Sequence, residues 1–130
     1  MQVNGVDHVN IVTDDIEGTA KFYEAVLGFR AKTPPMVMPG FQGRWLCDAD
    51  DRPIVHLQAY NAERHGERNG AAGGSIDHVA LACRGFDDML RRCAELNLDH
   101  RVNDRRFGDL RQIFVTDPNN VSLELNFAGD

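Results

Sequence analysis

A strand-like heptapeptide recurs in this chain with its histidine in place. Gly5-Val6-Asp7-His8-Val9-Asn10-Ile11 returns as Ser75-Ile76-Asp77-His78-Val79-Ala80-Leu81, 70 residues further along a chain of 130. A repeat of about half the chain constrains architecture before any local reading, because each copy must be one supersecondary unit of the same plan. The correspondence continues into the next segment. Asp14-Asp15 is a helix-start signal, and Ile16, Thr19, Ala20, Tyr23, Val26 and Leu27 then recur at helical spacing until Gly28 ends the run. At the same offset, Phe86, Leu90, Cys93 and Leu96 stand for Ile16, Ala20, Tyr23 and Val26.

Shorter strand patterns follow each helix. The first half offers Ala31–Thr33, Gly43–Cys47 and Ile54–Tyr60, and the second offers Asp99–Asn103, Arg111–Thr116 and Val121–Phe127. Asp117-Pro118-Asn119-Asn120 is a strong turn, and Asp50-Asp51-Arg52-Pro53 is its weaker counterpart. Each half therefore reads strand, helix, strand, strand, strand. The expected organisation is one domain over 1–130, with module one at 1–61, a Gly-rich polar linker at 62–74 and module two at 75–130. Pro34-Pro35-Met36-Val37-Met38-Pro39-Gly40 reads as an extended loop without a counterpart in the second half, an apolar lid or contact surface.

Composition narrows the partners. A net charge of −6 disfavours nucleic acid and anionic membranes, and no apolar run reaches spanning length. Polar Asp7 and His8 interrupt the N-terminus before any secretion-type apolar stretch. Three cysteines, Cys47, Cys83 and Cys93, are an odd number without metal-type spacing, which fits free thiols in a reducing cytosol. Cys93 falls on the helical apolar stripe and Cys83 among core positions of a strand.

Side chains of a strand alternate between two faces. Val9 and Ile11, Val55 and Leu57, Val79 and Leu81, and Val121, Leu123, Leu125 and Phe127 form apolar faces that must receive the helices. The opposite faces carry His8, Asn10, His56, Gln58, His78, Ser122, Glu124 and Asn126. That set is too polar for a dry core and fits a concave binding surface. His8 and His78 are equivalent at offset 70, while His56 and Glu124 are 68 apart, a two-residue indel from equivalence. Taken singly, a strand histidine is most often a half-buried polar residue. A set of four at repeat-related positions points instead to one divalent transition metal, Fe, Co, Ni, Mn or Zn, for which imidazole and carboxylate are suitable donors. His65, in the linker, and His100, at a strand start, fit no symmetry and are expected to be solvated.

On these residues the chain resembles the vicinal oxygen chelate superfamily, which includes glyoxalase I, bleomycin- and fosfomycin-resistance proteins, methylmalonyl-CoA epimerase and extradiol dioxygenases. The matching motifs are Val6-Asp7-His8-Val9, Phe22-Tyr23 through Leu27-Gly28-Phe29, Ile76-Asp77-His78-Val79-Ala80, and Phe114-Val115-Thr116-Asp117-Pro118-Asn119 running into Leu123-Glu124-Leu125. The resemblance implies an α+β fold, with two tandem βαβββ modules forming a cup-shaped mixed sheet of eight strands and helices on the outer face. It implies metal ligands at His8, His78 and Glu124, with His56 at a position that varies between members. Glyoxalase I and the epimerase carry Glu or Gln there and use four ligands, whereas dioxygenases and fosfomycin-resistance proteins use three. Bleomycin-resistance proteins lack the metal, and the full donor set here speaks against that type. Val12 stands where glyoxalase I favours a basic residue, so glutathione is not implied.

A ligating His56 leads to a glyoxalase-like lyase or isomerase. The metal would hold adjacent oxygens of a small substrate and stabilise an enediolate, with Glu124 as the base that moves the proton. Asn10, Arg44, Trp45, Gln58, Gln112, Phe114 and Asn126 are the expected substrate contacts, with Arg111 beside them on the same strand as Gln112. The alternatives are a non-haem Fe(II) extradiol-type dioxygenase on His8, His78 and Glu124, and a non-catalytic ligand-binding module. The expected assembly is a cytoplasmic homodimer with a small-molecule substrate as partner.

Overall fold

The computed structural model describes residue 1 and residues 6–35, 42–65, 78–107 and 109–129. Met36 to Gly40 of the Pro/Met loop, the linker from 66 onward, and Ile76-Asp77 of the second motif lie outside the described residues. The chain forms two compact units, Met1–Arg68 and Asn69–Asp130. No described helix is long and apolar enough to cross a membrane.

In the first unit, β1 (Val9–Thr13), α1 (Ile16–Leu27), β2 (Arg30–Lys32), β3 (Gly43–Cys47) and β4 (Pro53–Ala59) give a four-stranded sheet ordered β1-β4-β3-β2. A single turn, α2 (Ala62–His65), follows. In the second unit, β5 (Val79–Cys83), α3 (Phe86–Glu95), β6 (His100–Phe107), β7 (Leu110–Thr116) and β8 (Ser122–Ala128) repeat the order as β5-β8-β7-β6. The outer pair is parallel in each sheet and the others are antiparallel. The fold is thus α+β in two βαβββ modules, its eight strands divided between two mixed sheets.

Local chemistry explains the elements. Asp15 caps α1 by accepting from the Gly18 amide. Gly28 ends it in the left-handed conformation at φ 69°, donating to the Glu24 carbonyl. Tyr23, Ala20 and Val26 of α1 are buried with Leu46, Val55, Leu57 and Ile11 of the sheet. Phe86, Met89 and Cys93 of α3 are buried with Ile113, Leu123, Leu125 and Phe127, and the rings of Phe86 and Phe127 meet edge to face at 5.4 Å. All three cysteines are free, Cys47 and Cys93 buried and Cys83 half-buried.

The offset between modules changes at two defined places. At the helix ends, Asn97 with φ 48° takes the role of Gly28, so the offset falls from 70 to 69. The expected match of Val26 with Leu96 fails there. Leu96 caps α3 and is 45% exposed, because α3 ends at Glu95. The second change is a bulge: Cys47 pairs with Pro53 but Leu46 with Val55, which adds one residue to β4 and lowers the offset to 68.

Between those points the modules keep step. From Lys32 to Trp45 and from Arg101 to Phe114 the chain runs the same length. The Pro/Met loop therefore has a counterpart in length: in the second module the same stretch is the β6–β7 hairpin. Proline lacks the amide that a ladder needs, and β2 ends at Lys32, just before Pro34-Pro35.

The turns into β4 and β8 are also the same device. Asp48 and Asp117 each accept two downstream amides on Oδ1: Asp50 and Arg52 in one module, Asn119 and Val121 in the other. Asp51 at φ 65° and Asn120 at φ 64° occupy the left-handed position. The counterpart of the strong turn thus begins at Asp48, two residues before the sequence pattern placed it.

The expected linker begins with the α2 turn. Asn61 donates its amide to His65 Nδ1 at 3.0 Å and accepts the His65 amide at 2.8 Å, a reciprocal arrangement like a capping box. His65 is accordingly half-buried and stacks on Tyr60, contrary to the solvated role expected for it. His100 is exposed, as expected.

Candidate metal-binding and substrate-binding residues

Strand register fixes which side chains share a face. In the first unit, Asn10, His56, Trp45 and Lys32 lie in one cross-strand row. The His56 ring stacks on His8 at 3.9 Å between centroids and on Trp45 at 4.8 Å, both nearly parallel to it. Asn10 Nδ2 donates to Gln58 Oε1 at 3.1 Å, and Gln58 is buried. His8 Nδ1 lies 2.6 Å from Asp7 Oδ1, and with Nδ1–H donating to that carboxylate the lone pair of the ring is on Nε2.

His56 carries the most informative atom. Its Nε2 is buried and has no hydrogen-bond partner. Burial lowers the His56 pKa, the neighbouring His8 lowers it further, and a backbone bond to Pro53 and the charge of Asp7 oppose the shift. The ring is therefore neutral at pH 7, with a lone pair available. A buried, unpartnered imidazole nitrogen is costly. A divalent cation is a partner that neutral imidazole suits.

The second unit repeats the row as Ala80, Glu124, Phe114 and Arg101. Glu124 occupies the register position of His56, and Phe114 that of Trp45. His78 Nε2 lies 3.4 Å from Glu124 Oε2. Glu124 Oε1 accepts from Gln112 Nε2 at 2.8 Å and from Asn126 Nδ2 at 2.9 Å. Gln112 also donates to Asn126 Oδ1 and accepts from Asn103 Nδ2 at 2.6 Å. This network pins one carboxylate oxygen and leaves Oε2 toward His78. Asn103 and Arg101 extend the face and were not among the expected contacts. Their alternation with Val102 was the sequence signal for them.

The expected residues thus fall into two groups, each within its own unit: His8, His56, Asn10, Gln58 and Trp45, and His78, Glu124, Gln112, Phe114 and Asn126. Among the described residues no three of His, Cys, Asp or Glu form a metal-type cluster. Two residues stand apart from both groups. Arg44 is registered with Leu57, which puts it on the α1 side of its sheet, where it pairs with Glu17. It lines a cavity of about 380 Å³ there with Asp15, Glu17, Pro34 and Gln42. Arg111, registered with Phe127, lies over the Phe86 ring and pairs with Asp87. Both follow from the alternation of strand faces, with Trp45 and Gln112 as their neighbours on the other side.

Comparison with known proteins agrees with this architecture. A variant of the genomically encoded fosfomycin resistance protein FosX from Listeria monocytogenes, solved with Mn(II) and 1S,2S-dihydroxypropylphosphonic acid, is 16% identical over 98% of this chain and 94% of that one, with a TM-score of 0.71. FosX from Mesorhizobium loti is 22% identical over 98% and 94%, with a TM-score of 0.63. A glyoxylase/bleomycin resistance protein/dioxygenase domain from Frankia sp. EAN1pec is 14% identical over 99% and 95%, with a TM-score of 0.71. Identities this low establish a shared fold. No curated protein matches the chain. The sequence profile of the Glyoxalase/Bleomycin resistance protein/Dioxygenase superfamily matches residues 5–125, nearly the whole chain. The chain belongs to that superfamily.

Proposed function

We propose that the protein is a metal-dependent lyase or isomerase of the glyoxalase type, acting on a small substrate through two adjacent oxygens. The observation that carries this reading is the buried, unpartnered Nε2 of His56 at the register position that Glu124 occupies in the other module. We assign His8, His56, His78 and Glu124 as donors to one divalent metal, Fe, Ni, Co, Mn or Zn. The Mn(II) held by the Listeria relative supports a divalent ion. Such an ion supplies Lewis acidity toward adjacent substrate oxygens.

The chain's own residues do the rest. Glu124 Oε2 takes and returns the proton α to a carbonyl, while Gln112 and Asn126 hold Oε1 and so fix the carboxylate's direction. Asn10, Gln58, Trp45 and Phe114 present amide and aromatic surface to the substrate. Arg44 is not part of this assignment. Three free cysteines fit a cytosolic protein, and we assign a homodimer as its assembly.

The test is solvent deuterium exchange at the carbon α to the carbonyl, run on metal-loaded protein with a panel of α-hydroxy- and α-ketocarbonyls. Exchange that falls about 10²- to 10⁴-fold in Glu124→Gln, with the fold retained, is the expected result. A second reading has its own observation. The His56 ring is packed by both His8 and Trp45, which suits an orienting role outside a three-ligand set. O₂ consumption and ring cleavage with catechols, and no exchange, would favour that Fe(II) dioxygenase. Metal-replete protein that binds no metal would leave the ligand-binding module.

A further inference from the structure

We propose that Arg101 anchors an anionic group of the substrate, a carboxylate or a phosphoryl-type oxyanion held away from the chelating oxygens. This deepens the reading above and rests on it for the position of those oxygens. Arg101 ends the row that contains Glu124 and Phe114, so it shares their face of the second sheet. Its guanidinium lies 4.0 Å over the Phe114 ring. The side chain is exposed, and among the described residues it has no carboxylate partner.

Five other described cations on the strands or in the turn into β4 are engaged. Arg30 and Lys32 share Asp51, Arg44 holds Glu17, Arg52 holds Asp48, and Arg111 holds Asp87. The comparison with Lys32 is the sharpest, because Lys32 ends the equivalent row of the first module and is paired with Asp51 at 2.6 Å. The repeat thus places a cation at the same point twice and leaves only the second one open. In a chain of net charge −6, an open guanidinium two strands along the row from a candidate base is suited to an anionic ligand. Guanidinium is a planar fork that binds carboxylate and phosphoryl oxygens bidentately. Stacking on Phe114 restricts it in advance, which lowers the ordering cost of binding.

Calorimetry on the full metal-loaded chain tests this with protocatechuate, whose carboxylate stands away from its adjacent oxygens, and its uncharged amide. Wild type should bind the acid about tenfold more tightly than the amide, the scale of one charge-assisted contact. Arg101→Gln should bring that ratio close to one without changing the amide's affinity or the metal content. Arg101→Lys should keep part of it, and salt should shrink it in wild type. An unchanged ratio in Arg101→Gln, or no preference in wild type, overturns the proposal and shows Arg101 to be packing only. Metal content measured on the same samples separates the two readings. Protein without metal refutes the metal assignment, and the acid-to-amide ratio of the same variants in EDTA then decides Arg101 by itself.

Discussion

Burial and the adjacent His8 keep His56 harder to protonate than an ordinary histidine, whose pKa is about 6.5. The consequence for stability has a definite sign. Above that ordinary value both folded and unfolded chains hold His56 neutral, and it contributes no pH dependence. As the pH falls below it, the unfolded chain takes up a proton that the folded chain refuses, so stability declines until the folded pKa is passed. The Tm of metal-free protein should therefore fall on acidification from about pH 6.5 to 5.5. His56→Gln should flatten that slope. A wild-type Tm that rises on acidification over this window would contradict the assignment. At this scale the placing of His56 and Glu124 on the polar faces of β4 and β8 was legible, because a strand's alternation alone decides it, while His8 and His78 stand one residue before β1 and β5. Alternation separates Arg44 from Trp45, but which of the two turns to the α1 side was not legible, since that depends on pairing with Leu57, a contact between residues distant in sequence. Asn103 and Arg101 alternate with Val102 in the sequence, but their partnership with Gln112 and Phe114 is visible only in the register.

The turns that deliver β4 and β8 put His56 and Glu124 where they are. Asp117 is 4% exposed, and its Oδ1 accepts two backbone amides at 2.8 Å. Asp117→Ala would leave both amides without that partner inside a tight turn. A loss of about 2 kcal/mol in urea unfolding is expected, from two such bonds at the usual net value. A loss within the ordinary scatter of surface substitutions, below about 0.5 kcal/mol, would show that the turn forms without the side chain. Helices and strands were readable in outline because caps and periodicity are local. The Asp48 start of the first turn was obscured by the run of acidic residues around it. The β4 bulge at Leu46/Cys47 could not be read, because a bulge is a mismatch between two strands and leaves no pattern in either one. It accounts for half of the two-residue gap between His56 and Glu124; the other residue is lost at the end of α3.

For the molecule as a whole, the repeat and four motifs were enough to point to the superfamily that the profile match establishes. The reaction was not legible in the same way, because this scaffold is shared by different chemistries and specificity rests on a few side chains. The homodimer assignment is checked by sedimentation velocity at micromolar concentration, where the expected mass is twice 14.5 kDa. A monomer with full metal content would remove it. The central claim is that four donors from two repeated modules serve one metal. Metal analysis of protein purified under metal-replete conditions tests it most directly. One divalent ion per chain is expected in wild type, with stoichiometric metal lost in His8→Ala, His78→Ala and Glu124→Ala. Unchanged metal content in all three variants, or none in wild type, would contradict the account.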